Sequence, residues 1–195
     1  GYRTCWTSVV NPTDEHRRAA ERARAEAEAH RAASATLGAA EAAAWDRSAR
    51  EDAAIPSRVL MESAGRAAVA VITRHLQHAL AQGVLVVCGR GNNGGDGWVI
   101  ARALAALGVN VTGVALPGEV TADNAANREL AQRHGVRVVG PGDDWGAQGF
   151  VVDALVGTGA VGAPTGDVAT CVDRMKRLNV YLVAVDGPTG LDLTS

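Results

Sequence analysis

Residues able to do chemistry gather in three short stretches. The first is Cys88-Gly89-Arg90-Gly91-Asn92-Asn93-Gly94-Gly95-Asp96-Gly97, five glycines, two amides and a carboxylate directly after an apolar run. Glycines allow positive φ and a closeness that a Cβ would block. Backbone N–H groups in such a loop can cradle an anion, aided by the helix N-terminus that follows. The second stretch, Val151-Val152-Asp153-Ala154-Leu155-Val156-Gly157-Thr158-Gly159, puts an acid at the end of an apolar run and a glycine-rich loop after it. The third, Val183-Ala184-Val185-Asp186-Gly187-Pro188-Thr189-Gly190, repeats that arrangement. One such Asp is ordinarily a turn or cap residue. Two in equivalent places, with the glycine loop, imply three polar loops at one crevice.

Gly89, Gly91 and Gly94 satisfy GxGxxG, a weak signal alone. The second strand ends Val114-Ala115-Leu116-Pro117 without the acid that holds a ribose, which disfavours an ordinary nicotinamide dehydrogenase. No GK[ST] follows the glycines, which excludes a P-loop nucleotidase, and no GxSxG elbow occurs. His75 and His78 have the spacing to share a metal, although solvated helix positions are their blander reading. Cys5, Cys88 and Cys171 are odd in number, far apart and without CxxC, so neither a disulfide framework nor a zinc site is expected. A reducing cytoplasm is the expected compartment.

Elements of alternating type must hold these loops. Val84-Leu85-Val86-Val87-Cys88 is wholly apolar, as in a strand buried on both faces. A helix is expected from about Gly97 to Leu107, a strand over 110–116, a helix over 122–134 and a strand over Val136 to Val139. A strand from Phe150 to Ala154, a helix over 167–178 and a strand from Tyr181 to Val185 complete the pattern. Strands alternating with helices make an α/β fold with a mostly parallel central sheet between helical layers. Asp153, Asp186 and the glycine loop then share the edge at the strands' C-terminal ends. Before them, Ser57 is expected to cap a helix carrying Leu60, Ala64, Ala67, Ala68 and Val71 on one side. Another helix fits residues 39–53.

The 195 residues carry a net charge of −2, with 47% hydrophobic and 21% charged residues. That balance is globular, lacks the basic stripe of a nucleic-acid binder, and contains no run of about 18 apolar residues for a membrane span. Residues 1–35, rich in Ala, Glu and Arg from Asp14 onward, are expected to form an N-terminal extension to a domain spanning 36–195.

These motifs together resemble the YjeF N-terminal family, the NAD(P)H-hydrate epimerases. Four segments carry the resemblance: Ile55-Pro56-Ser57 leading to Leu60-Met61-Glu62-Ser63-Ala64-Gly65, then Gly91 to Gly97, then Asp153 to Gly159, then Val185 to Gly190. The resemblance implies a Rossmann-like three-layer fold and a cofactor-repair activity. Its substrates would be the R and S forms of hydrated NADH or NADPH, epimerised at C6 of the nicotinamide ring to feed an S-specific dehydratase. A catalytically silent binding module is the alternative that the same family offers.

The resemblance assigns substrate contacts to Asn92, Asn93, Gly94, Gly95 and Asp96, to the loop Gly157, Thr158, Gly159, Ala160, Val161, Gly162 and Ala163, and to Asp186. It assigns a potassium ion to Asn93, Asp153 and Thr189, the last standing where the family usually has Ser. Asp153 would stay ionised beside the cation, which leaves Asp186 as the proton carrier. A homodimer, and a fused or separate ADP/ATP-dependent dehydratase as partner, follow from the same resemblance. Family members continue with further strands, so the domain is expected to be incomplete beyond Ser195.

Overall fold

The computed structural model describes residues 54–157 and 162–190, together with Ser48. Residues 1–35 lie outside the described residues. So does the helix expected over 39–53 except for Ser48, which is helical.

β1 (Val84–Cys88) is buried along its whole length. It pairs in parallel with β2 (Val111–Ala115) on one side and β4 (Phe150–Ala154) on the other. β3 (Arg137–Val139) lies outside β2, and β5 (Tyr181–Ala184) outside β4, both parallel. The sheet order is therefore β3-β2-β1-β4-β5. Continuous Val/Leu runs form these central strands because helices cover both faces. The chain first winds outward from β1 to β3, then returns to the other side of β1. The gap between β1 and β4 is thus a topological switch point, the place where open α/β sheets bind ligands.

One face carries α1 (Ser57–His75), α3 (Asn92–Ala106) and α4 (Ala122–Arg133), with Ile72, Trp98, Ile100, Leu104 and Ala131 packed on Val84, Val86 and Val152. A short α2 (Gln77–Leu80) leads into β1. The opposite face packs α5 (Gly166–Arg177) and Trp145 on Leu85, Val87, Val114 and Val151. Trp145 donates to the Gly140 carbonyl at 3.2 Å, and the Arg174 guanidinium lies 3.8 Å from its ring centroid. That pairing fixes the β3–β4 connection, with Arg174 also bonded to the Pro141 carbonyl.

Most expected elements fall within a residue or two of their observed bounds, with four corrections. α1 buries Met61, Gly65, Ala68, Val69 and Ile72, while Leu60, Ala64, Ala67 and Val71 of the expected side are only partly buried. The glycine-rich segment is mostly helix: α3 begins at Asn92 rather than near Gly97, which leaves only Gly89 to Gly91 as loop. None of the five glycines has a positive φ; close approach is the role of Gly89, Gly94, Gly95 and Gly97, whereas a Cβ on Gly91 would meet nothing within 4 Å. A Cβ on Gly97 would stand 2.7 Å from the Ala154 Cβ and 2.9 Å from the Cys88 Sγ, so the glycine lets α3 sit directly on the sheet. Lastly, Ser57 does not cap α1. Pro56 holds the N-cap place, and the Ser57 hydroxyl donates to Asp123 Oδ2 at 2.6 Å, tying α1 to α4.

Candidate active site

The glycine loop, Asp153 and Asp186 do meet at one sheet edge, because β1, β4 and β5 run parallel and Asp153 stands level with Val87 and Ala184. α3 starts there. Its N-cap is Gly91, and no side chain caps it. The N–H groups of a helix's first turn have no intrahelical acceptor and present partial positive charge. Asn92 is exposed at this end, Gly94 and Gly95 are packed inside, and Asp96 is buried.

Asn93 is 7% exposed, and neither its amide oxygen nor its amide nitrogen has a hydrogen-bond partner among the described residues. Leaving a buried polar group unpaired costs about 1–3 kcal/mol. Asn93 lies against Gly157: a Cβ on Gly157 would be 3.6 Å from the Asn93 Cβ and 2.9 Å from Asp186 Oδ2. Gly157 therefore brings the Asn93 and Asp186 side chains to one spot. Asp186 is half-buried and has φ 65°, left-handed backbone that few non-glycine residues adopt. The turn is held by Val185 N–H donating to the Asp153 carbonyl at 2.8 Å and Gly187 N–H donating to the Val185 carbonyl at 2.8 Å. Local strain of this kind clusters where a side chain must be aimed.

Asp153 is buried beside them. Its Oδ1 accepts from the Thr189 hydroxyl at 2.8 Å and from the Leu155 N–H at 3.1 Å, and its Oδ2 accepts from the Thr189 N–H at 2.8 Å. Burial raises its pKa, against which the bonds from Thr189 and Leu155 act. Thr189 thus engages Asp153 through the hydroxyl that a Ser would also offer. Of the loop expected to hold substrate, Thr158, Gly159, Ala160 and Val161 lie outside the described residues; Gly157, Gly162 and Ala163 flank the gap.

Among the described residues no three His, Cys, Asp or Glu side chains form a metal-binding group, and His75 and His78 stand on separate helices. The donors at the edge are an amide, a carboxylate and a hydroxyl. Such oxygen donors suit a hard cation, and the unpaired Asn93 amide fits a ligand of that kind.

Asn124 was not singled out by sequence. It is 1% exposed on α4 and donates to the carbonyls of both Gly89 and Gly91, at 2.9 and 2.8 Å. An asparagine inside an alanine-rich helical segment carries no local signal, and its partners are more than thirty residues away.

The family model described as YjeF-related protein N-terminus matches residues 57–195. The chain belongs to the YjeF N-terminal family. It is 39% identical over 166 residues to the bifunctional NAD(P)H-hydrate repair enzyme Nnr of Moorella thermoacetica, a match covering 79% of this chain and 31% of that protein. It is 36% identical over 148 residues to the NAD(P)H-hydrate epimerase of Pirellula staleyi, covering 70% of this chain and 64% of the relative. The chain thus spans less than two thirds of the length of these relatives. Among solved structures, the crystal structure of yeast ynu0, YNL200c, superposes with a TM-score of 0.69 over 80% of this chain and 72% of that one at 23% identity, which establishes the fold. This YjeF N-terminal domain carries Asp153 and the glycine-rich segment at the switch point described above.

Proposed function

We propose that this domain interconverts the R and S epimers of hydrated NADH or NADPH at C6 of the nicotinamide ring. The observation that carries the reading is the meeting of the Asp186 carboxylate and the unpaired Asn93 amide across Gly157, beside an uncapped helix N-terminus. The helix end suits the dinucleotide's phosphates. Relatives named as epimerases support the substrate class.

C6 bears both the ring nitrogen and the hydroxyl, so it is a hemiaminal carbon. When the Asp186 carboxyl gives its proton to the hydroxyl, the C6–O bond breaks and water leaves. The nitrogen lone pair forms the C6=N bond of an iminium. Water then adds to either face and returns its proton to the Asp186 carboxylate, so atoms and charge balance. The left-handed turn at Asp186 and the open space at Gly157 aim this carboxylate.

Asn93, Asp153 and Thr189 would hold a potassium ion, whose contribution when bound is a fixed positive charge beside an anionic substrate. Asn93 would then gain the partner that it lacks among the described residues. The reading also implies a reducing cytoplasm, with which the buried free thiols of Cys88 and Cys171 are compatible, and an S-specific dehydratase as partner, fused as in the bifunctional relatives or separate. The test is an epimerisation assay on the R hydrate with an S-specific dehydratase as reporter, run with and without potassium. Turnover that Asp186→Asn abolishes is expected; turnover at the parent rate in that folded variant overturns the assignment.

A further inference from the structure

The loop between β1 and α3 is held by the Gly89 N–H, which donates to the Ala154 carbonyl at 2.9 Å, and otherwise by its carbonyls. Asn124 Nδ2 donates to the Gly89 carbonyl at 2.9 Å and to the Gly91 carbonyl at 2.8 Å. Between them, the Arg90 carbonyl accepts from the Thr121 N–H at 3.2 Å. Thr121 is the N-cap of α4, its hydroxyl accepting from the Asn124 N–H at 3.4 Å. Three successive carbonyls are therefore tied to the first turn of one helix. In a trans peptide the C=O and the following N–H lie in one plane and point opposite ways. Holding the carbonyls of residues 89, 90 and 91 toward α4 turns the N–H groups of Arg90, Gly91 and Asn92 away from it.

The amide orientation of Asn124 is fixed chemically. Trp98 Nε1–H, which can only donate, gives its hydrogen bond to Asn124 Oδ1 at 3.1 Å. Nδ2 is left for the two carbonyls, which can only accept. Gly94 makes room for the arrangement: a Cβ there would overlap the Gly89 carbonyl oxygen and stand 2.7 Å from Asn124 Nδ2. Asn124, Trp98, Gly89 and Gly94 are buried, where a wrong polar pairing is costly.

We infer that Asn124 is a positioning residue for the anionic part of the substrate, acting by orienting the N–H groups of Arg90, Gly91 and Asn92. The inference rests on the epimerase reading for the identity of that substrate. It does not place Asn124 in contact with the reacting ring.

The test compares Asn124→Asp and Asn124→Ala in the whole chain. The Asp variant keeps shape and volume and can still accept from Trp98, but sets a carboxylate oxygen against two carbonyl oxygens. The Ala variant removes the clamp without repulsion. A packing role would make Ala the worse of the two, since Asp is isosteric; a clamp makes Asp the worse. The expected result is a KM for the hydrated dinucleotide raised about tenfold in the Ala variant and further in the Asp variant, with kcat within about threefold of the parent. Backbone hydrogen exchange over residues 89–95 is expected to quicken in the same order. A fall in kcat at unchanged KM, or an order with Ala worse than Asp in both measurements, overturns the inference. If the parent chain turns over no hydrate, the epimerase reading fails. The exchange measurement then decides the clamp by itself: quickening confined to residues 89–95 and larger in the Asp variant upholds it, and a uniform or absent change refutes it.

Discussion

Gly157→Ala should separate stability from activity. Gly157 does not occupy the left-handed region, so an alanine backbone fits without strain. Replacing glycine where φ and ψ are ordinary stabilises by about 0.4–1 kcal/mol, through the lower entropy of the unfolded chain. The new methyl, however, would stand 2.9 Å from Asp186 Oδ2 and 3.6 Å from the Asn93 Cβ. Ordinary carbon–oxygen approaches lie at about 3.3–3.6 Å, so the carboxylate must retreat by roughly 0.5 Å. An off-rotamer displacement costs about 0.5–1.5 kcal/mol, and about 1.4 kcal/mol is tenfold in rate. A misplacement of about 1 Å at a reacting group can cost about a hundredfold, so both routes give a loss near tenfold. The expected outcome is a melting temperature at or slightly above the parent's, with kcat/KM for the R hydrate about tenfold lower. The cycle with Asp186→Asn supplies the control. If the methyl acts by displacing that carboxylate, adding it to Asp186→Asn costs little more. Parent-level turnover in Gly157→Ala, or a full additive loss in the double variant, would refute the reasoning.

Asn93→Ala removes a buried amide that has no partner within the described chain, so in potassium-free buffer it should melt no lower than the parent. Added potassium should raise the parent's melting temperature and leave the variant's unmoved; a potassium response in the variant counts against Asn93 as a ligand. Asp153 has a pKa raised by burial, so between its unfolded value of about 3.9 and its folded value the native state keeps a proton that the unfolded chain has released. Stability from this group is therefore lost as pH rises through that window. In thermal melts without potassium, the melting temperature of Asp153→Asn minus that of the parent should rise with pH from about 4 upward; a difference that stays constant or falls with pH contradicts the shift. Cys171 is buried with its pKa pushed up to about 11 by desolvation, and burial pushes Cys88 well up too. Both should resist alkylation at neutral pH in the native protein and react on unfolding, as mass spectrometry of the labelled peptides would report; rapid native labelling at either would show that the core opens.

Central strands were legible because both faces are covered, which makes Val84–Cys88 and Phe150–Ala154 short unbroken apolar runs with sharp ends. Asp153 and Asp186 were legible for the same reason, as the acids interrupting or following such runs. The start of α3 was not. Glycine and asparagine are poor helix formers, so Asn92 to Gly97 reads as loop until the packing that overrides propensity is seen. A Cβ at Gly95 would stand 2.6 Å from the Met61 Sδ, and one at Gly97 would meet Ala154 and Cys88. Those neighbours come from α1, β4 and β1, and no window of sequence contains them.

The same packing explains how one motif can be structural and chemical at once. Gly94, Gly95 and Gly97 let α3 sink between the sheet, α1 and α4, so the helix's first turn is mostly enclosed. Enclosure normally demands that every polar group find a partner. Asn124 meets the demand for the Gly89 and Gly91 carbonyls, and Trp98 meets it for Asn124. The Asn93 amide is left over, at the point where Gly157 lets the Asp186 carboxylate approach. Among the described residues that amide stays unpaired beside the gap between β1 and β4, where open α/β sheets bind ligands.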